Sequence, residues 1–210
     1  MHDKVLPRGS AHLLEQLAAA QSPDLEHWIL AGGTGLALRL GHRVSDDFDF
    51  FRTDSFDATR LHHVFKSIGP YETLEERAPH SLTVISLGVK LSFFSIDDPF
   101  IFPVEPYRFF SIAHESDIAL MKLIAISGRG SRKDFVDLYR ILMGDMTLQH
   151  YFDLLPKKYG AGRANTYHIL KSLTYFADAE EEPPPRMLEP LMWEECKAFF
   201  VREAHHITLG

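Results

Sequence analysis

The segment LAGGTGLALRLGHRVSDDFDFF, residues 30–51, carries the pattern that decides the fold. The apolar run from Trp28 to Ala31 stops at Gly32-Gly33, which predicts a buried strand that enters a tight turn. Residues 34–40 alternate small and leucyl side chains, as expected of a helix packed closely on a sheet, and the phenylalanines of residues 48–51 predict a second strand. The segment therefore predicts a strand–turn–helix–strand unit.

The glycine turn offers a site for an anion. Glycines allow a ligand to approach the backbone closely, and the unsatisfied N–H groups at a helix N-terminus attract negative charge. Gly32, Gly33 and Thr34 are therefore candidate ligands of a phosphate group. The turn alone is weak support, because many strand-to-helix turns carry glycine only for close packing.

Two carboxylates follow on the second strand. Asp47 and Asp49 are two residues apart, so strand alternation places both on one face. The neighbouring phenylalanines indicate a strand that is substantially buried, where unpaired acids are unfavourable. A divalent cation between the acids relieves that cost, and carboxylate-bridged Mg²⁺ ions are a recurring solution for phosphoryl or nucleotidyl transfer. The alternative is a strand edge at which both acids are solvated.

Outside this segment the pattern divides the chain in two. Helices at residues 10–20 and 57–67 and strands at 72–75, 82–87 and 89–96 are predicted in the first half. From Ser116 onward the periodicity is helical, over residues 117–127, 131–142, 148–155, 163–176 and 191–204, with an acidic, proline-rich linker or surface loop at 179–190. We therefore expect an α+β fold, with a mixed core over residues 1–112 and a helical region over residues 113–210 packed on it.

The composition excludes several classes of protein. No apolar run reaches the roughly 20 residues of a membrane span, and the N-terminus has no secretory signal, so we expect a cytoplasmic protein with no membrane partner. The net charge of −7 argues against binding nucleic acid by charge alone, although a local basic surface around Arg129, Arg132, Lys133 and Arg140 could hold a phosphate backbone. The single cysteine, Cys196, has apolar neighbours and is expected to contribute packing.

A second group of charged residues lies in the helical half. The predicted helix over residues 117–127 is apolar on nearly every side, so Lys122 should be buried beside an anion. That anion is either a structural carboxylate or, in a functional interpretation, a nucleotide phosphate or a catalytic acid. In the next helix Lys133, Asp134 and Asp137 share one face by their i, i+3 and i, i+4 spacing. Taken alone, this is the spacing of an exposed salt bridge within one helix.

Both groups of residues match one known family. The segment at residues 30–51 closely resembles the glycine motif and DxD strand of the nucleotidyltransferase family that includes the AbiEii/AbiGii-type toxins. The segment DIALMKLIAISGRGSRKDFVDLY, residues 117–139, resembles that family's lysine helix and KDxxDLY motif. The two motifs occur in the family's order and at its usual separation, and the resemblance covers residues 4–143 approximately.

The resemblance implies a nucleotidyltransferase-like mixed sheet followed by a C-terminal helical region. It implies an Mg²⁺-dependent enzyme that transfers a nucleoside monophosphate from an NTP to a hydroxyl acceptor, with tRNA as one candidate, and a toxin with a cognate antitoxin. The catalytic residues it implies are Asp47, Asp49 and Asp137, of which Asp47 and Asp49 hold the metal. The nucleotide-binding residues it implies are Gly32, Gly33, Thr34, Lys122, Lys133 and Asp134.

One part of the superfamily's pattern is missing. Nucleotidyltransferases commonly place a third carboxylate on a later strand, where it helps to deprotonate the attacking hydroxyl. The corresponding segment VKLSFFSIDD, residues 89–98, has Ser92 at its centre, and Asp97 has the wrong parity unless the strand ends or bulges first. Asp137 is one candidate for the missing function. Two further functions stay open: transfer to a small hydroxylated molecule such as an antibiotic, and a degenerate nucleotide-binding or interaction module without turnover.

Overall fold

The computed structural model describes residues 1–209 and divides the chain into two compact units. Unit 1 comprises Met1–Pro99 and Pro103–His114, and unit 2 comprises Phe100–Phe102 and the residues from Glu115 onward. No helix within residues 1–209 is both long enough and apolar enough to cross a membrane.

Unit 1 is built on one mixed sheet. Its strands are β1 (Ile29–Ala31), β2 (Phe48–Arg52), β3 (Tyr71–Arg77), β4 (Ser81–Ser86), β5 (Val89–Ser95), β6 (Glu105–Tyr107) and β7 (Phe110–Ile112). Its helices are α1 (Arg8–Ala20), α2 (Gly32–Leu40) and α3 (Ala58–Ile68). The strand order is β3-β4-β5-β2-β1-β7-β6, in which β2 runs antiparallel to β1 and parallel to β5. The predicted α+β class is confirmed.

Side chains alternate between the two faces at the centre of the sheet. Phe50 of β2 pairs in register with Phe93 of β5, and both rings are buried with their centroids 5.2 Å apart. Helices α1 and α3 pack on this apolar face, where Phe65 of α3 contacts Phe93. Asp49 and Ser92, each one residue earlier on its strand, are register partners on the opposite face. The burial of each phenylalanine contributes about 2 kcal/mol, which fixes the register and so determines which face carries the acids.

Two short strands were not predicted from the sequence pattern. Strands β6 and β7 have three residues each, and Pro106 stands in the middle of β6. Such short segments show no alternation long enough to be recognised, and proline is uncommon within strands. They complete the sheet because β7 pairs in parallel with β1, and β6 forms the edge beyond β7.

Unit 2 is helical. Its helices are α4 (Glu115–Arg129), α5 (Arg132–Leu142), α6 (Leu148–Tyr159), α7 (Thr166–Ser172), α8 (Ala177–Glu181) and α9 (Trp193–Ala204). Helix α4 packs against α5, α6 and α7, and α5 also packs against α8 and α9. The predicted helix over residues 163–176 is too long: Asn165 caps α7 by accepting the His168 N–H, and α7 ends at Ser172. A separate helix, α8, begins at Ala177 and extends into the predicted linker at residues 179–190.

The segment Phe100–Phe102 is fixed within unit 2 by a buried ion pair. Both carboxylate oxygens of Asp117 accept backbone N–H groups, from Ile101 at 3.1 Å and from Phe102 at 2.9 Å. Lys158 of α6 donates to the same carboxylate at 2.8 Å, and both charged side chains are almost fully buried. The carboxylate therefore has three donors in an interior position, as a buried charge requires.

Candidate active site

The glycines at the start of α2 leave room for charged side chains. Gly32 has a φ of +61°, and a Cβ atom at this position would lie 2.9 Å from Oδ2 of Asp49. A Cβ atom on Gly33 would lie 2.2 Å from Nη2 of Arg43. Any side chain on Gly33 would therefore collide with the guanidinium group, and one on Gly32 would also be strained by its left-handed backbone. The turn and the acidic strand are in direct contact.

Thr34 connects α2 to the start of the acidic strand. Its hydroxyl is buried, lies 2.8 Å from Oγ of Ser45 and donates to the backbone carbonyl of Asp47. The side chain is therefore committed to the fold. The phosphate-binding role expected of Thr34 rests on its backbone N–H, which belongs to the first turn of α2.

Asp47 and Asp49 lie on the same face of the sheet. Asp49 is half-buried in β2, whereas Asp47 immediately precedes the strand and has a side chain that is 50% exposed. Oδ2 of Asp47 lies 3.5 Å from Nζ of Lys90, which stands two residues before Ser92 on β5. Both acids thus lie near the glycine turn, and neither residue is fully buried.

No third acid joins this pair from β5. The register partner of Asp49 is Ser92, which is buried and lies 3.4 Å from the Thr83 hydroxyl. Strand β5 ends at Ser95, so strand alternation does not decide which way Asp97 faces. Asp97 nevertheless follows Ser92 by about 16 Å of extended chain. Asp97 is therefore too distant along the strand to serve as the third carboxylate.

The acid pair fits an Mg²⁺ ion. Within residues 1–209 there is no cluster of three or more acidic, histidine or cysteine side chains suited to a metal. Mg²⁺ is commonly bound through one or two protein carboxylates, with water and substrate phosphates completing its octahedral shell. Asp47 and Asp49, beside a helix N-terminus, would supply those protein ligands and would leave the remaining positions to a nucleotide.

Sequence reasoning missed Arg43 and Ser45. Arg43 is 3% exposed, packs against Gly33, and donates from Nη1 to the Val44 carbonyl at 3.1 Å. Ser45 is buried against Thr34. Both residues lie in the loop between the two recognised motifs, where no periodicity marks a buried side chain. The sequence offered one indication of their role: an arginine and a serine stand between the glycine turn and the two acids.

In unit 2 the structure brings Lys122, Asp134 and Asp137 together. Nζ of Lys122 lies 2.7 Å from Oδ1 of Asp134 and 2.7 Å from Oδ2 of Asp137, and all three side chains are at most 6% exposed. Arg129 adds two hydrogen bonds to Asp134, of 2.7 and 3.1 Å. The prediction that Lys122 is buried beside an anion is confirmed, and carboxylates of the next helix provide that anion.

The electrostatics of this network keep Asp134 ionised. Burial acts to raise its pKa, but the positive charges of Lys122 and Arg129 and their hydrogen bonds outweigh burial, and the pKa is lowered from 3.8. Asp134 is therefore a charged partner of the buried Lys122. Asp137 is wholly buried and paired with Lys122, so its carboxylate lacks the open position of a general base.

Lys133 does not join the network. The predicted ion pair between Lys133 and Asp137 does not form, because Asp137 faces α4 and Lys133 is exposed. Lys133 makes no ion pair with any other part of the chain that the structure describes. The basic surface expected around it is partly neutralised, since Arg129 binds Asp134 and Arg140 binds Glu189. Arg132 keeps its charge and stacks on Trp193.

The chain is similar to a known protein family and to a known relative. A family model described as the nucleotidyl transferase AbiEii toxin of type IV toxin–antitoxin systems matches residues 13–206. An uncharacterized protein of Aquifex aeolicus (strain VF5) is 38% identical over 179 residues, which cover 83% of this chain and 84% of the relative.

Solved structures with a similar fold include two bacterial proteins. MenT4, a nucleotidyltransferase toxin of Mycobacterium tuberculosis H37Rv, has a TM-score of 0.57 at 17% identity, with 96% of this chain and 87% of that chain covered. JHP933 of Helicobacter pylori has a TM-score of 0.51 at 18% identity, with 98% and 89% covered. At these identities the similarity establishes the fold.

The family model covers most of the chain, including the glycine turn, the acid pair and the Lys122 network. The chain therefore belongs to the AbiEii family of nucleotidyltransferase toxins of type IV toxin–antitoxin systems.

Proposed function

We propose that Asp47 and Asp49 hold Mg²⁺ beside the glycine turn, and that the enzyme transfers a nucleoside monophosphate from an NTP to a hydroxyl acceptor. The observation that carries the proposal is the contact between the turn and the acidic strand, where a Cβ atom on Gly32 would lie 2.9 Å from Oδ2 of Asp49. A phosphate bound to the N–H groups of Gly33 and Thr34 would then lie next to the metal-binding carboxylates.

The transfer reaction needs few protein groups. Asp47 and Asp49 would hold Mg²⁺, which when bound would neutralise charge on the phosphates and favour the deprotonated acceptor. The acceptor oxygen forms a bond to the α-phosphorus, the bond to the bridging oxygen breaks, and pyrophosphate leaves with that electron pair. Because Ser92 is not a base and Asp137 is committed to Lys122, the acceptor proton passes to solvent water on the accessible side of Asp47. Positioning and charge neutralisation supply most of the acceleration.

The roles that we propose for Lys122 and for the KDxxDLY residues follow from how exposed each side chain is. Lys122, Asp134 and Asp137 are buried in one ion network, so we assign them the task of holding α4 and α5 together. Lys133, exposed and without an ion-pair partner among residues 1–209, is the member of the motif that we assign to a nucleotide phosphate.

The family indicates the partners. Membership of a toxin–antitoxin family implies an antitoxin, and nucleotidyl transfer implies an NTP substrate. For the acceptor we propose the 3′-hydroxyl of tRNA, because a terminal ribose offers an accessible hydroxyl to an in-line reaction. Because tRNA is abundant in the cytoplasm, we also propose a cytoplasmic location.

The experiment is label transfer from each of the four [α-³²P]NTPs to total tRNA in the presence of Mg²⁺. We expect one NTP to label RNA and Asp47→Asn to reduce labelling by about 100-fold or more, since a metal ligand is lost. Asp97→Asn is the matched control, because it makes the same charge change on an exposed acid beyond β5. Full transfer by Asp47→Asn would contradict the metal assignment, and label that enters only small molecules would contradict the tRNA acceptor.

A further inference from the structure

Lys90 stands directly beside the proposed metal site. Its Nζ atom lies 3.5 Å from Oδ2 of Asp47, on the face of the sheet that carries both acids. The side chains are 43% and 50% exposed. Lys90 is also the single charged residue in the β5 sequence VKLSFFS. Strand β5 therefore contributes a positive charge to the site and no negative one.

The ion pair between Lys90 and Asp47 adds little to the stability of the fold. Ion pairs between half-exposed side chains contribute about 0–1 kcal/mol. The pair does change the charge of the site: Lys90 offsets one of the two negative charges of Asp47 and Asp49, whereas a third acid on β5 would add a negative charge to them. A site of lower negative charge binds a free divalent cation less strongly and repels a polyphosphate less.

The ammonium group of Lys90 contacts Oδ2 of Asp47, which is one of the two oxygens through which this carboxylate could bind a cation. A lysine has a flexible four-carbon stem, so its ammonium can move by several ångström without a change in the backbone. A metal ion that binds Asp47 would compete with this contact. When a nucleotide binds together with the metal, its phosphate provides a new anionic partner for Lys90.

We propose that Lys90 is a nucleotide ligand that exchanges Asp47 for a phosphate group when the metal–nucleotide complex binds. The proposal rests on the proposed function, because it requires the metal site at Asp47 and Asp49. A metal ion that binds alone must displace Lys90 from Asp47 and leaves the ammonium group without an anionic partner. The metal–nucleotide complex brings a phosphate that can pair with the displaced ammonium group. Metal and nucleotide therefore bind with positive coupling, and Lys90 is the source of part of that coupling.

The test uses Mn²⁺ as the metal probe and electron paramagnetic resonance to measure free Mn²⁺. Titrations of the full chain are made without nucleotide and with each of the four α,β-methylene NTPs. Lys90→Met should bind Mn²⁺ alone about 3- to 10-fold more tightly than the wild type, and the nucleotide should improve Mn²⁺ affinity less than in the wild type. Lys90→Arg retains the positive charge and should therefore show the same coupling between metal and nucleotide as the wild type. Lys66→Met, which removes a positive charge from the exposed side of α3, should behave as the wild type.

Two different failures are separable. If Asp49→Asn weakens Mn²⁺ binding but Lys90→Met matches the wild type in Mn²⁺ affinity and in coupling, the proposal for Lys90 is overturned while the metal site stands. If Asp49→Asn binds Mn²⁺ as the wild type does, the metal site itself is overturned, and the proposed function fails with it. Tighter Mn²⁺ binding in both Lys90→Met and Lys66→Met would reduce the effect to net charge and would also overturn the role of Lys90.

Discussion

Nζ of Lys122 lies 2.7 Å from Oδ2 of Asp137, and neither side chain is more than 6% exposed. The contact joins α4 to α5 within unit 2. Asp134 accepts from the same ammonium group, so one lysine serves two buried carboxylates. Because a buried charge is stabilised only by its partners, the network should be sensitive to the loss of any member.

Lys122→Met should destabilise the protein by about 3–5 kcal/mol, because it removes the cation that two buried carboxylates share. The measurement is the free energy of unfolding from urea denaturation. Lys133→Met is the matched control, since Lys133 lies exposed in the same motif and should change stability by less than about 0.5 kcal/mol. Equal stabilities for the two variants would contradict the structural role of Lys122.

The lowered pKa of Asp134 predicts a loss of stability in acid. A carboxyl whose pKa is lower in the folded than in the unfolded state stabilises the fold above its unfolded value, near 3.8, and this contribution is lost as pH falls through the folded pKa. Asp134→Asn should therefore be less stable than the wild type at pH 7 and should lose less stability between pH 5 and pH 3. Parallel pH profiles of the urea midpoint for the two proteins would show that Asp134 has no lowered pKa.

Gly33→Ala should destabilise the glycine turn. Its Cβ atom would lie 2.2 Å from Nη2 of Arg43, so the buried guanidinium must move, at a cost of about 1–3 kcal/mol. Gly128→Ala is the control, because Gly128 lies within α4 with open space around its Cα atom, and alanine there should stabilise the helix by about 0.5–1 kcal/mol. Thermal unfolding measures both, and a Gly33→Ala protein as stable as the wild type would refute the close approach of Arg43.

Cys196 should be unreactive in the folded protein. The thiol is fully buried in α9, and burial raises its pKa to about 12, so almost no thiolate exists at pH 8. We expect negligible reaction with Ellman's reagent in native buffer and one thiol per chain in urea. Rapid reaction in native buffer would show that α9 opens easily.

The contact between the glycine turn and the acidic strand of unit 1 could be predicted because these residues are close in sequence. A glycine turn and two acids at alternate strand positions are local patterns, and strand alternation alone places Asp47 and Asp49 on one face. The positions of Arg43 and Ser45 depend on how a loop folds back onto α2. No periodic pattern marks such a contact, so these residues were missed.

The second motif shows the limit of spacing arguments. The i, i+4 rule offered Lys133 as the partner of Asp137, but Asp137 pairs with Lys122 from the preceding helix. Helical spacing describes neighbours on one helix, whereas burial is decided by the helix packed against it. The apolar surroundings of Lys122 in the sequence were the more informative signal, because a buried lysine must have an anion near it.

The central claim is that Asp47 and Asp49 hold the metal of a bound nucleotide. Isothermal titration calorimetry with each of the four NTPs, with and without Mg²⁺, tests it most directly on the wild type, Asp49→Asn and the control Asp97→Asn. We predict Mg²⁺-dependent binding of at least one NTP, weakened by about 10-fold or more in Asp49→Asn and unchanged in Asp97→Asn. NTP binding that needs no Mg²⁺, or that is as tight in Asp49→Asn as in the wild type, would contradict the claim.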